Sequence, residues 1–148
     1  MATIRGQRSA ELSCPASEAY AVLADVARYP DWQSDVKATT VLDEDSEGRP
    51  VRAEITQDAK VRTVTVRVRY RHDAPHEMAW ELESGDVKAM DGSWRLEELE
   101  GGRTRATYTL AVDPGRALGL LLRGPVVQRV TDHVLDGTLA ALRARVEP

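Results

Sequence analysis

The side chains here with most chemical capacity are three histidines (His72, His76 and His133), one cysteine and an acidic run from Asp43 to Glu47. His72 and His76 have H-x3-H spacing, which on a helix puts two imidazoles on one side for a metal. Pro75 stands between them, however, and the stretch from His72 to His76 reads as a turn with no third ligand in view. A solvated turn is expected there. His133 falls beside Asp132 and Asp136 on the polar side of a helical pattern and reads as a surface histidine. Cys14 has no evident base nearby, so a packed thiol is expected rather than a nucleophile. The acidic run ends at Gly48 without the spacing or terminal Glu of a Ca²⁺ loop, and reads as a hairpin loop. No metal and no cofactor is expected, and no catalytic residue is assigned.

The remaining candidates are hydroxyls and indoles. Val64, Val66, Val68 and Tyr70 alternate with Thr65, Arg67, Arg69 and Arg71, and Met78, Trp80 and Leu82 alternate with Glu77, Glu81 and Glu83. Period two gives each strand one apolar and one wet face. A turn centred on Ala74 would place Arg71 opposite Glu77, Arg67 opposite Glu81, Tyr70 opposite Met78 and Val68 beside Trp80, matching charge on one face and apolar groups on the other. Arg62, Arg67, Arg69 and Arg71 then form a solvated ladder with the glutamates, not a nucleic-acid surface. Met90, Gly92, Trp94 and Leu96 share a face, and a hairpin near Gly101 returns Ala106, Tyr108, Leu110 and Val112 to it, with Trp94 opposite Tyr108 and Glu97 opposite Arg105. The polar atoms on the apolar side are then the hydroxyls of Tyr70 and Tyr108 and the indole N–H groups of Trp80 and Trp94. They can anchor one end of an amphipathic ligand but are poor general bases near neutrality. Periodicity alone leaves open whether these aromatics fill a core or line a pocket.

The elements that position them read in order. Residues 2–13 form a first strand, and Tyr20, Leu23, Ala24 and Ala27 mark one helical face after Pro15. Tyr29-Pro30 interrupts that helix, Asp31 to Gln33 form a second helical turn, and a strand runs from Val36 to Leu42. Val51, Ala53 and Ile55 give the inward set of the next strand. Asp113-Pro114 starts a helix that runs through Leu118, Leu121 and Leu122, kinks at Gly124-Pro125, and resumes through Val127 to Val146. One domain over residues 1–148 is the simplest count.

A net charge of −4 and a pI near 5.4 argue against nucleic acid as a partner. One cysteine permits no intramolecular disulfide, and the N-terminal residues lack an apolar signal region. The stretch from Leu118 to Leu122 is too short to span a bilayer. A cytoplasmic protein without stable membrane insertion is expected; the oligomeric state is not legible.

This element order resembles the START-like superfamily called SRPBCC. So do the phrases Ala19 to Trp32, Asp91 to Leu96 and Thr104 to Pro114, and the Gly-Pro-kinked C-terminal helix. The closest resemblance is to its polyketide cyclase/dehydrase and coenzyme Q-binding branch. The resemblance implies an α+β helix-grip fold, in which a curved antiparallel sheet of about seven strands wraps a long C-terminal helix. It also implies a cavity between them, which Val66, Tyr70, Trp80, Met90, Trp94, Tyr108, Leu118, Leu122 and Val126 would line, with Trp32 at or near its wall. The implied function is binding or carrying a small hydrophobic molecule: a lipid, isoprenoid quinone or polyketide. The alternatives are a polyketide aromatase/cyclase, and a stress-associated or regulatory protein with a vestigial pocket.

Overall fold

The computed structural model describes residues 3–147. Strand β1 (Ile4–Leu12) leads into helix α1 (Ala16–Ala24), a 3₁₀ turn (Val26–Arg28) and helix α2 (Tyr29–Trp32). Then come β2 (Val36–Glu44), β3 (Pro50–Asp58), β4 (Thr63–Asp73), β5 (Glu77–Gly85), β6 (Ala89–Leu99) and β7 (Arg103–Asp113). Helices α3 (Gly115–Gly119) and α4 (Pro125–Val146) follow. All seven strands join one antiparallel sheet in the order β1-β7-β6-β5-β4-β3-β2. Five successive hairpins generate that order, β1 adds to β7, and the segment from α1 to α2 connects the two edge strands. The first strand begins inside the expected span; Ala2 lies outside the described residues.

Alternation sets the faces. Val64, Val66, Val68 and Tyr70 are buried along β4, and Ala106, Tyr108, Leu110 and Val112 along β7. Helix α4 buries Val130, Leu135, Leu139 and Leu142, which join the inward side chains in one cluster. Where α4 meets β1 the approach is close: a Cβ on Gly6 would lie 2.5 Å from Leu135 Cδ1. Beside that contact Arg8 donates to Asp132 and Asp136, at 2.9 and 3.0 Å, tying the edge strand to the helix.

The β6–β7 register agrees with the sequence reading: Trp94 faces Tyr108 and Glu97 faces Arg105. The β4–β5 register differs by two residues. Tyr70 faces Trp80, Val68 faces Leu82, Arg69 faces Glu81, and Arg71 faces Ala79 rather than Glu77. The turn is centred on Pro75, with Asp73 opposite Glu77 and the His76 N–H donating to the Asp73 carbonyl at 2.8 Å. A shift of two keeps every side chain on its expected face, so Val68 stays buried. The charge ladder therefore has other partners. A bulge leaves Glu83 unpaired between Leu82 and Ser84, and its carboxylate accepts from Arg52 Nε and Nη2 and from Arg69 Nε, at 2.9, 2.8 and 2.9 Å. Arg67 pairs with Glu54, and Glu77 with Arg95.

The hydrogen bonds from Arg52 hold the Glu83 carboxyl down at about 2, against an ordinary 4.5. A carboxyl with a lowered folded-state pKa stabilises the fold above its unfolded pKa, and that contribution disappears as pH falls through the folded value. Glu83→Gln is therefore expected to lower the thermal midpoint at neutral pH, with the gap to the parent closing between pH 4.5 and about 2. Thermal melts of both proteins across that range check this; a gap independent of pH would refute it.

The C-terminal region is two helices, not one kinked helix. Gly124 takes φ 58° and ψ −134°, a conformation open chiefly to glycine. Pro125 then starts α4 afresh as its first residue.

Candidate functional site

Between the sheet and α4 lies a cavity of about 140 Å³. Its back wall is a row of four rings, one from each of β4 to β7: Tyr70, Trp80, Trp94 and Tyr108. Neighbouring centroids are 6.3 Å apart for Tyr70–Trp80, 6.0 Å for Trp80–Tyr108 and 4.5 Å for Trp94–Tyr108. Trp80 can lie flat here because its cross-strand partner is Gly92; a Cβ on Gly92 would sit 2.5 Å from Trp80 Cζ2.

Of the residues assigned to a binding site from sequence, Val66, Tyr70, Trp80, Met90, Trp94, Tyr108, Leu118 and Leu122 border the cavity. Trp32 and Val126 do not. Trp32 stands edge-on to Tyr29 at 5.4 Å, and it is Tyr29 that reaches the wall, its hydroxyl donating to the Leu23 carbonyl. Val126, in the first turn of α4, is half-buried against the core, and the helix lines the cavity with Val130, Val134 and Thr138 instead. The sequence reading missed Tyr29, treated there only as a helix terminator, and Thr138, inside the helical stretch from Val127 to Val146.

Burial pushes the Tyr70 and Tyr108 hydroxyls well above the usual phenol value. Both remain O–H donors at any physiological pH. Tyr70 lines the cavity, and Tyr108 has Thr138 beside it. The wall therefore offers neutral donors and no cation to a ligand lying against it.

The loop residues bordering the cavity come from one end of the sheet: Gln33 and Asp35 before β2, Ala59 and Val61 between β3 and β4, Val87 between β5 and β6, and Pro114 and Leu122 after β7, with Leu118 of α3 between those two. Gln33, Asp35, Ala59, Val61 and Val87 are all part-exposed, which makes this the open end. Asp35 forms its charged rim, accepting from His133 Nε2 at 2.6 Å and pairing with Lys60 Nζ at 3.0 Å. Burial opposes ionisation of Asp35, but hydrogen bonds from Lys60 and His133 outweigh it and hold the carboxyl below its usual range. His133 thus pairs with Asp35 across the rim; Asp132 and Asp136 belong to Arg8.

His133 is exposed, as expected of a surface histidine, whereas His72 departs from expectation. It belongs to β4, half-buried, not to a solvated turn. Nε2 lies 2.6 Å from the Pro50 carbonyl and Nδ1 2.6 Å from the Tyr20 hydroxyl. A carbonyl only accepts, so Nε2 carries a proton; the Tyr20 hydroxyl stands between Nδ1 and the Glu77 carbonyl, to which it donates at 3.1 Å. This ties α1 to β3 and β4 behind the aromatic row. Cys14 is 2% exposed, and burial raises its thiol pKa, which suits packing rather than attack. In the acidic hairpin, Asp45 Oδ1 accepts from the backbone N–H groups of Glu47 and Arg49, both at 2.9 Å. Among the described residues, no group of three or more His, Cys, Asp or Glu is placed to hold a metal ion.

A seven-stranded antiparallel sheet folded against one long C-terminal helix, with an aromatic-walled cavity between them, defines the helix-grip class of START-like proteins. The family model described as "Polyketide cyclase / dehydrase and lipid transport" matches residues 12–138, and the chain belongs to that family. No curated protein resembles the chain closely enough to count as a match. Among solved structures it is similar to a START superfamily protein from Mycobacterium smegmatis, at 19% identity over 96% of each chain with a TM-score of 0.84. It is also similar to the Zhui aromatase/cyclase of a Streptomyces species, at 19% identity over 97% of this chain and 93% of that one, TM-score 0.80. A protein of Thermus thermophilus is similar at 21% identity over 97% of this chain and 96% of that one, TM-score 0.80.

Proposed function

We propose that the protein binds a small, uncharged, ring-bearing hydrophobic molecule, of quinone-like or polyketide-like chemistry, between its sheet and α4. The observation that carries this reading is the row of four rings with the Tyr70 hydroxyl able to donate beside it. A ring stacked on Trp80 and Tyr108 with a carbonyl toward Tyr70 would satisfy both surfaces. A cavity of about 140 Å³ matches the size that takes up a single aromatic ring, so a longer tail would leave through the open end. The lack of a cation on the wall favours a neutral ligand over a fatty acid, whose carboxylate would be buried without a partner.

Family membership and the likeness to an aromatase/cyclase support a second reading, cyclisation of a polyketide chain. That reaction calls for a group able to take a proton near neutrality. The wall tyrosines are held far above that range, and Asp35 is engaged at the rim. Binding is therefore the reading we prefer.

Titration with a short-chain quinone analogue, followed by tryptophan quenching, tests it. Trp80→Ala is expected to weaken binding about tenfold through lost ring contact, with a smaller relative effect on the unfolding midpoint. The same titration with a fatty acid is expected to give weaker quenching. Absence of quenching by any quinone, polyphenol or lipid would leave the aromatic row a packed core and sink the proposal.

A further inference from the structure

The open end of the cavity carries a second pattern that ligand binding does not require. Three loops meet there, and in each an apolar residue that lines the cavity adjoins a cation exposed to solvent. Val61 lies between Lys60 and Arg62, Val87 precedes Lys88, and Leu118 and Leu122 lie between Arg116 and Arg123. Between those last two leucines, Leu120 and Leu121 turn outward, 55% and 49% exposed, as the exposed large hydrophobic residues among those described. Arg116 and Lys88 belong to adjoining segments: the Lys88 N–H donates to the Asp113 carbonyl at 2.9 Å, and Lys88 Cβ lies 3.6 Å from a Cβ built on Gly115.

The carboxylates of this end are tied down by the protein itself. Asp58 accepts from the Lys60 N–H, Asp86 from the Thr65 N–H, Asp113 from the Gly115 N–H, and Asp35 is held by Lys60 and His133. Lys60 offsets the charge of Asp35, whereas the backbone N–H bonds leave the charges of Asp58, Asp86 and Asp113 in place, so docking must come from the leucines and the cations beside them. Arg62, Lys88, Arg116 and Arg123 form no ion pair among the described residues. An adjacent pair of outward leucines flanked by unpaired cations is a poor surface for water and a good one for an anionic bilayer. There the leucines enter the acyl boundary while the cations meet headgroups. In a chain of net charge −4, repulsion from the rest of the surface would turn this end toward the membrane.

We propose that the segment Arg116–Arg123, with Lys88 and Arg62, docks reversibly on anionic lipid bilayers and brings the open end of the cavity against the membrane surface. No helix of the described residues is long and apolar enough to cross a bilayer, and docking needs none. The contact itself does not depend on what the cavity holds; its use, passing an apolar ligand between bilayer and cavity without exposure to water, rests on the binding reading above.

Flotation of the full chain with vesicles tests the docking. Vesicles of phosphatidylcholine with about a third phosphatidylglycerol are expected to carry the protein, pure phosphatidylcholine far less, and high salt to release it. Leu120→Ser with Leu121→Ser is expected to lower partitioning about tenfold or more by removing the inserted apolar surface. Arg116→Gln with Arg123→Gln should lower it about fivefold per charge on anionic vesicles only. Both variants alter exposed residues, and an unchanged circular dichroism spectrum and melting curve show that the fold is intact. Equal partitioning onto neutral and anionic vesicles, or full partitioning of the leucine variant, would overturn the proposal. So would a wild-type dimer in light scattering that the leucine variant makes monomeric, since a second copy would then cover the patch. Trp80→Ala separates the two readings: it should spare flotation while weakening quinone binding. Loss of flotation with quenching intact refutes docking alone.

Discussion

Leu135→Ala is expected to destabilise the chain by about 3 kcal/mol, the middle of the range for a buried leucine truncated without collapse around it. Leu135 is fully buried and stands where α4 touches the sheet most closely, its Cδ1 lying 2.5 Å from the place a Cβ would occupy on Gly6. Because Gly6 has no side chain to fill the gap, and Arg8 pins the strand to Asp132 and Asp136 on either side, neither partner can move in to close the void. The cost is then the lost transfer energy plus most of the cavity term. For a chain of this length about 3 kcal/mol corresponds to a fall of about 10 °C in melting temperature. Calorimetry or thermal circular dichroism checks this, with Leu121→Ala as the control: that side chain is 49% exposed, and its truncation should move stability by less than about 0.5 kcal/mol. Equal effects of the two substitutions would mean that α4 is not held by this contact.

The same geometry shows which parts of the molecule were legible in the residues. Faces were legible because alternation is a property of each strand alone. Register between strands depends on the turn. Gly101-Gly102 both take positive φ, 77° and 72°, a conformation that marks the hairpin centre by residue type, and the β6–β7 pairing follows from it. Between β4 and β5 the turn residues Asp73 to His76 mark no centre, and the bulge at Glu83 adds a residue that no alternation can reveal. His72 was misplaced for a related reason. The run Val64, Val66, Val68, Tyr70 extends by parity to residue 72, but the apparent turn residues that follow hid it. The cavity was legible only through resemblance to a fold, since a packed wall and a hollow one have the same periodicity. The break between α3 and α4 was visible as Gly124-Pro125; that it separates two helices depends on the Gly124 backbone, which sequence does not state.

Gly92→Val should test whether the aromatic row and the cavity are one device. A Cβ at Gly92 would lie 2.5, 2.6 and 2.9 Å from Cζ2, Cε2 and Nε1 of Trp80, far inside van der Waals contact, so the indole must leave its place. Tyr70 and Tyr108 flank it at centroid distances of 6.3 and 6.0 Å and block sideways movement within the row. The path left open is off the sheet, into the cavity. Overpacking of this kind costs about 2 kcal/mol, and a displaced indole of ring size occupies most of a void of about 140 Å³. Quinone binding is therefore expected to fall by more than about tenfold, because the site is filled rather than because contact is lost. The distinction from a general loss of stability lies in a double-mutant cycle with Trp80→Ala. Removing the indole relieves the clash, so the double variant should be more stable than the sum of the single effects predicts, by about 1 kcal/mol or more. It should also bind the probe better than Gly92→Val alone. Strictly additive stabilities, or a double variant that binds no better, would show that Trp80 escapes by another route and that the cavity does not depend on the glycine beneath it.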